Sequence, residues 1–451
     1  MKYHNPIITG FHPDPSVCRV GNDFYLVNSS FEYFPGIPIY HSTDLTHWEQ
    51  IGHVLDRKNQ LKLVSGAPNC LGIYAPTIRY HEGIFYCIVT NVGGRSGGNF
   101  FVYTTDPYGR WSNPVKLPFA GIDPSLFFDE DGRIYYTGTD TGIYIAEITF
   151  DVVRNDTPKR NELPVSIQNV KCGEKHYIWN GSGGNNPEGP HLYRIHDMYY
   201  LMIAEGGTEY CHMVTIARSK NVYGPYEACP HNPVLSNRST CLNIKAIGHA
   251  DLVEDSQGSW WAVCLGIRPL GYPFRHNLGR ETMLAPVKWE NGWPVMGDNG
   301  TVTETFEVET APGKKTRKSD FYIPGSNMTD TFCSNKLHPS WNTIYTPVSK
   351  FVKPTKQGLS LCAYDTTLSD DKPKAILVRR QEHFHFTATA TLTLESVNAG
   401  SEAGITIYMN NRHHYEAALS TVGNGEYFLI LRRRIGSLQA VEARIPFHCN
   451  T

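Results

Sequence analysis

The sequence predicts an all-β protein, a five-bladed β-propeller followed by a second β domain, and three observations lead there. A chain of 451 residues exceeds what one ordinary hydrophobic core serves, so two domains are expected. Its 26 Tyr, 20 Phe, 8 Trp, 40 Gly and 29 Pro suit short strands joined by tight turns, not a helical bundle. Its N-terminal part repeats one design five times.

Each repeat opens on a small or acidic residue, runs through an apolar stretch to a polar or Gly turn, and ends on an aromatic pair. The five read DPSVCRVGNDFY from Asp14, APTIRYHEGIFY from Ala75, DPSLFFDEDGRIYY from Asp123, EGPHLYRIHDMYY from Glu188 and ADLVEDSQGSWW from Ala250. Their aromatic pairs begin at Phe24, Phe85, Tyr135, Tyr199 and Trp260. Strand, turn, strand is the reading of each, with turn chemistry at Arg19-Val20-Gly21-Asn22-Asp23, Asp129-Glu130-Asp131-Gly132 and Glu254-Asp255-Ser256-Gln257-Gly258. Further strand-like runs, such as 99–105 and 213–219, complete the units. A unit that cannot close its own core but stacks on neighbours marks a solenoid or propeller. Four-stranded units of this length favour a propeller, and five of them give five blades. A β-sandwich with coincidental turns is the competing reading.

In a propeller the first strands of the blades converge on the axis at one end. Those positions carry Asp14, Ala75, Asp123, Glu188 and the pair His249-Ala250. Crowding three carboxylates is costly, which points to chemistry and away from a purely structural role. Glycosidic hydrolysis needs such a set. One carboxylic acid protonates the leaving oxygen, another carboxylate activates water or attacks the anomeric carbon, and a third can tune the acid. No G-x-S-x-G elbow and no phosphate-binding G-x-x-x-x-G-K-[ST] loop offers an alternative.

The bulk numbers agree with a neutral substrate. With 41 basic against 43 acidic residues and a formal net charge of −2, nothing draws in nucleic acid or an anionic membrane. The start, MKYHNPIITG, lacks the apolar core of a signal peptide, and no run is long and apolar enough to span a bilayer. Eleven Cys without a C-x-x-C pair argue against a disulfide framework or a zinc cluster, so a cytoplasmic location is expected. Sequons such as Asn28-Ser29-Ser30 are set aside as chance.

Several segments carry a family resemblance. Asn5-Pro6-Ile7, Phe11-His12-Pro13-Asp14-Pro15-Ser16, Gly72-Ile73-Tyr74-Ala75-Pro76, Gly121-Ile122-Asp123-Pro124-Ser125-Leu126 and Pro187-Glu188-Gly189-Pro190 closely resemble family 43 of the glycoside hydrolases. So do Glu205-Gly206-Gly207-Thr208, Gly248-His249-Ala250-Asp251 and Leu278-Gly279-Arg280-Glu281-Thr282. The resemblance is to its β-xylosidase and α-L-arabinofuranosidase group, and it implies exo-acting, inverting hydrolysis of xylo- or arabino-oligosaccharides from plant cell walls. By the same resemblance Asp14 matches the general base, Glu188 the general acid and Asp123 the residue that tunes and orients the acid. Arg280 resembles a contact to sugar hydroxyls and to the modulating carboxylate, and Phe31, Tyr74, Ala75, Thr208 and His249 fall at pocket positions. Several xylosidases carry Trp where this chain has Tyr74, which leaves xylose against arabinose open. No cofactor is expected beyond a structural calcium ion ordered through water at His249.

The expected layout is a propeller over 1–310, a linker over 311–329 around the charged run from Ala311 to Lys318, and a β-sandwich over 330–451. Strand-like runs in the last part are 375–379, the alternating 384–394, 404–409 and 427–432. The resemblance makes it a concanavalin A-like jelly roll, in a shortened copy. Two other readings stand beside the enzyme: a non-catalytic, lectin-like carbohydrate-binding propeller and a protein-interaction scaffold. The axial carboxylates favour the enzyme, since a neutral sugar can be bound without them. Homo-oligomerisation is left open.

Overall fold

A computed structural model describes residues 2–63, 69–93, 97–307, 321–334, 336–394 and 398–447. The part of the expected linker before residue 321 lies outside them. Regular structure among the described residues is β throughout, apart from one short 3-10 turn at Val348–Lys350.

Five antiparallel sheets follow one another along the chain. The first is Ser16–Val20, Asp23–Val27, Gly36–Ser42 and Glu49–Leu55, and the second is Gly72–His81, Ile84–Val92, Gly98–Thr104 and Val115–Lys116. The third is Ile122–Phe128, Ile134–Thr139, Ile143–Arg154 and Val165–Cys172, with His176–Trp179 also paired to its third strand. Glu188–Ile195, Met198–Glu205, Met213–Ser219 and Glu227–Ala228 make the fourth. Lys245–Glu254, Trp260–Ile267, Glu281–Glu290 and Trp293–Met296 make the fifth. Every sheet is a simple meander, as tight turns between alternating strands dictate.

The apolar clusters turn these sheets into a ring. Five of them form, and each draws on consecutive blades: one and two, two and three, three and four, four and five. The remaining cluster joins Val17, Phe24, Leu26 and Tyr40 of blade one to Val253, Trp261, Val263 and Leu284 of blade five. A sheet buried on both faces by its neighbours has no separate core, which is why the repeat must close on itself. Closure is also pinned by the backbone. Ile7 and Ile8 donate to Thr282 O at 3.0 and 3.3 Å, and Lys2–His4 pairs with Thr305–Glu307.

By internal contacts the chain forms two compact units, the larger reaching Ser360 and taking in Leu377–Phe384, the smaller including Leu361–Ile376 and the chain from His385 on. Within the larger unit, Thr343–Ile344 pairs with Tyr33–Phe34, and Arg380 Nε donates to Phe11 O at 2.6 Å. The smaller unit is built on one four-stranded meander of Glu402–Asn410, His413–Gly423, Glu426–Ile435 and Leu438–Phe447. One face carries Arg432 bridging Glu402 and Glu416, and the other shows exposed Ile405, Ile407, Leu429, Leu431 and Ile445. The runs 404–409 and 427–432 are thus strands, whereas 375–379 and 384–394 are not. Alternation permits a strand but does not supply the neighbour whose N–H and C=O groups complete it. Residue Val378 reaches only a single bridge with Asn342.

Candidate active site

The first strand of each blade kinks at the same place. Asp14, Ala75, Asp123, Gly189 and His249 adopt φ values of +53°, +28°, +54°, +62° and +47°. In blades two to five the ladder slips at that point, between Tyr74 and Thr77, Ile122 and Ser125, Glu188 and His191, and Gly248 and Asp251. Such a bulge re-aims a side chain away from the pleat. Left-handed backbone at non-Gly residues is costly and collects at functional sites.

One sequence expectation needs correction here. The residue equivalent to Asp14 and Asp123 in blade four is Gly189, and Glu188 stands one position earlier. The reason is steric: a Cβ at Gly189 would come within 3.0 Å of the His249 ring. Blade four therefore delivers its carboxylate from the preceding residue.

Asp14 is buried and doubly held. Ser29 Oγ donates to its Oδ2 at 2.5 Å, and Arg280 Nη1 donates to Oδ1 at 3.2 Å. Burial raises its pKa, but Arg280, His249 and the Ser29 hydroxyl together outweigh burial and hold it below the usual carboxylate value. The same Ser29 Oγ accepts the Ala75 N–H at 2.7 Å, so the left-handed Ala75 is fixed by the side chain that fixes Asp14.

Asp123 and Glu188 titrate the other way. Burial, then the charges of Glu188 and Asp14, push Asp123 well up, although the Gly189 N–H donates to its Oδ2 at 3.1 Å. Burial and then Asp14 raise Glu188 to about 7, against the opposing pull of Arg280 and a hydrogen bond from Thr208. Both carboxyls are therefore held above the usual carboxylate range. All three carboxylates are therefore close enough to act on one another, which the sequence expected of them.

The pocket-lining expectations meet around Arg280. Phe31 stacks on Phe11 at 5.5 Å and meets Tyr74 edge-on at 5.3 Å. The Arg280 guanidinium lies 5.5 Å from the Phe31 ring centre and 5.7 Å from that of Phe11. Phe31 itself is left-handed, held by paired backbone bonds with Ile73 at 3.0 and 3.1 Å. Next to Arg280, the buried Glu281 accepts both Arg268 nitrogens at 2.7 and 2.8 Å, with Thr9 Oγ1 and Gly10 N at 2.9 Å. That locks the strand end from which Arg280 reaches Asp14.

Two residues beyond each kink, Ser16, Thr77, Ser125, His191 and Asp251 are buried as a polar layer. Arg79 ties it together, donating to Asp251 at 2.7 and 3.0 Å and contacting His191 Nδ1 at 3.0 Å. Ser16 Oγ donates to Asp251 Oδ2 at 2.6 Å and Tyr193 Oη to Oδ1 at 2.6 Å. Burial first, outweighed by Arg79, leaves the Asp251 carboxyl well below its usual range. His249 is buried with its pKa lowered, chiefly by burial, so its ring is neutral. The carboxylates that act on it, Asp14 and Asp251, are each paired with a guanidinium. A hard cation prefers unengaged oxygen donors, and this set offers calcium none. Among the described residues no group of three or more His, Cys, Asp or Glu could hold a metal ion.

Ser29, Phe11 and the Arg79–Asp251 pair were not singled out as site residues from sequence. Ser29 sat in a sequon dismissed as chance, and Phe11 stood inside a segment read only for Asp14. Arg79 and Asp251 are 172 positions apart.

Comparison with known proteins gives the family. Residues 3–294 match the family model of glycosyl hydrolases family 43, and residues 329–449 match the β-xylosidase C-terminal concanavalin A-like domain. A non-reducing end α-L-arabinofuranosidase of Bacteroides ovatus is 42% identical over 442 residues, 96% of this chain and 78% of that protein. A xylosidase/arabinosidase of Butyrivibrio fibrisolvens is 40% identical over 425 residues, 92% of this chain and 79% of its own. Among solved structures, a xylan β-1,4-xylosidase from Bacillus halodurans superposes with a TM-score of 0.82 at 30% identity, covering 99% of this chain and 85% of that one. The chain belongs to family 43 of the glycosyl hydrolases and is a glycoside hydrolase.

Proposed function

We propose that this enzyme removes terminal pentoses, β-D-xylose or α-L-arabinofuranose, from the non-reducing ends of plant cell-wall oligosaccharides with inversion at the anomeric carbon. The observation that carries the reading is the splitting of the carboxyl pKa values: Asp14 is held low while Glu188 is raised to about 7. A base must be ionised and an acid protonated at the same pH, and environments that push two carboxyls apart supply that. Asp14 takes a proton from water as the water attacks C1, and Glu188 gives its proton to the departing oxygen. Asp123, which accepts the N–H of Gly189 next to Glu188, tunes and orients the acid. Arg280 meets the sugar hydroxyls, and Phe11, Phe31 and Tyr74 form the apolar wall for the ring. The choice of sugar is supported by the names of the relatives, one an arabinofuranosidase and another a xylosidase/arabinosidase.

The test is hydrolysis of the two nitrophenyl pentosides, with the first-formed sugar followed by NMR. Inverted product supports the single displacement, for which the carboxyl groups of base and acid stand roughly 6.5–9.5 Å apart. Retained configuration overturns it, and inactivity on both substrates overturns the pentosidase reading.

A further inference from the structure

Between Ile267 and Glu281 the chain leaves the propeller and returns. Both ends are locked, by Arg268 on Glu281 and by Arg280 on Asp14. Between them the chain stands out in solvent, and it presents rings. Tyr272 is 90% exposed and Phe274 38%. A third ring joins from blade four, Tyr210, also 38% exposed, whose hydroxyl donates to Phe274 O. The Tyr210 and Phe274 ring centres lie 5.2 Å apart, and Tyr272 and Phe274 6.0 Å apart. The Lys245 ammonium, itself bonded to Thr240 O at 2.6 Å, sits 5.4 Å from the Phe274 ring centre and braces it from beneath.

The location of this cluster matters more than its exposure. Tyr210 stands in the turn after Met198–Glu205, the strand whose Ala204 pairs with Glu188, and Gly206 N in that turn donates to Asn185 O at 2.7 Å. His276, two residues after Phe274, feels the charges of both Glu209 and Arg280, although burial is the larger influence on it. The rings therefore rise from the segment that ends on Arg280 and from the turn that follows the partner strand of Glu188, and a general acid lies by necessity on the side where the leaving group departs. Aromatic rings exposed to water offer an apolar face with fixed geometry and little entropy to lose, which suits the C–H face of a pyranose.

We propose that Tyr210, Tyr272 and Phe274 form a stacking platform for the leaving-group side of the substrate, taking the neutral pyranose next to the scissile bond. The inference rests on the glycosidase reading above and adds where the remainder of the oligosaccharide lies. Tyr272 and Phe274 supply the faces, and the Tyr210 hydroxyl positions Phe274.

Two substrates ending in the same pentose separate the platform from the chemistry: a methyl pentoside, whose leaving group has no ring, and an oligosaccharide. Tyr272→Ala and Phe274→Ala are expected to lower kcat/KM on the oligosaccharide by about three- to tenfold, the range of one aromatic contact, mainly through KM. The methyl pentoside is expected to be hydrolysed as by wild type. Tyr210→Phe should reproduce a smaller part of the same selective loss. Equal losses on both substrates, or none on the oligosaccharide, would overturn the platform alone. A wild-type enzyme that releases pentose from neither substrate overturns the glycosidase reading and the platform with it.

Discussion

Ser29→Ala isolates the device that keeps the base ionised. The change removes the 2.5 Å hydrogen bond to Asp14 Oδ2 and leaves the 3.2 Å contact with Arg280 in place. A hydrogen bond to a charged group contributes about 1.5–3 kcal/mol, and about 1.4 kcal/mol is a tenfold change in a protonation equilibrium. Asp14 is depressed in the folded enzyme, so losing a donor raises its pKa. The acid limb of kcat/KM should accordingly move toward neutrality by about one to two pH units, which narrows the plateau from its acid side without lowering its height. The alkaline limb, set by the proton on Glu188, should stay where it is. The assay is kcat/KM from about pH 3 to about pH 8 on an unactivated pentoside, whose leaving group needs the acid, so that both limbs are seen. Ser29→Ala also strips the Ala75 N–H of its acceptor, so a stability loss of about 1–3 kcal/mol is expected in urea. If stability falls but the acid limb does not move, Ser29 merely supports the backbone and the account of Asp14 is wrong. A shift of the alkaline limb instead would mean that base and acid have been exchanged.

Other consequences can be checked separately. Glu188→Ala should lose about 10²–10⁴-fold on oligosaccharides but much less on aryl pentosides with good leaving groups, whereas Asp14→Ala should depress both alike; equal losses throughout would refute the roles. Asp123→Asn removes a carboxyl beside Glu188 whose ionised form would oppose ionisation of the acid, so the alkaline limb should move to lower pH, and an unmoved limb would refute the tuning role of Asp123. Asp251→Ala leaves the buried Arg79 guanidinium without its partner and should cost about 3–5 kcal/mol in urea unfolding; a near-neutral result would show the axial layer to be open to water. Dialysis against a strong chelator should leave the melting temperature unchanged, because arginines already occupy the carboxylates around His249; a clear fall would reveal a cation.

Much of the fold was legible because the repeat is periodic and its turns are local. The aromatic pairs and Gly turns locate the blades, and Asp14 and Asp123 follow from their place on the first strand. Glu188 was found but placed one step out of register, because what displaces it is the His249 ring from another blade. Ser29 is far from Asp14 in pattern and close only because Asp14 turns left-handed. The run 384–394 alternates as well as any true strand, yet alternation reports which face is apolar and nothing about whether a pairing edge is at hand. Interactions that span blades, such as Arg79 on Asp251, leave no local trace.

The remaining question is how a five-fold repeat yields an asymmetric catalyst. At the five equivalent kinks stand Asp14, Ala75, Asp123, Gly189 and His249, so the backbone device is common and only the side chains differ. Ala75 puts no further charge beside the two aspartates, and Gly189 lets the His249 ring approach while Glu188 reaches in from one residue earlier. Arg280 then breaks the remaining likeness. Its guanidinium acts on all three carboxylates, but it is in ion-pair contact with Asp14, at 3.2 Å, and acts on Asp123 and Glu188 at longer range. Burial raises all three, so the one given a fixed cation and a hydroxyl donor ionises first. Its negative charge then raises the other two. The base thereby helps to make the acid, and both assignments trace to where one arginine lands.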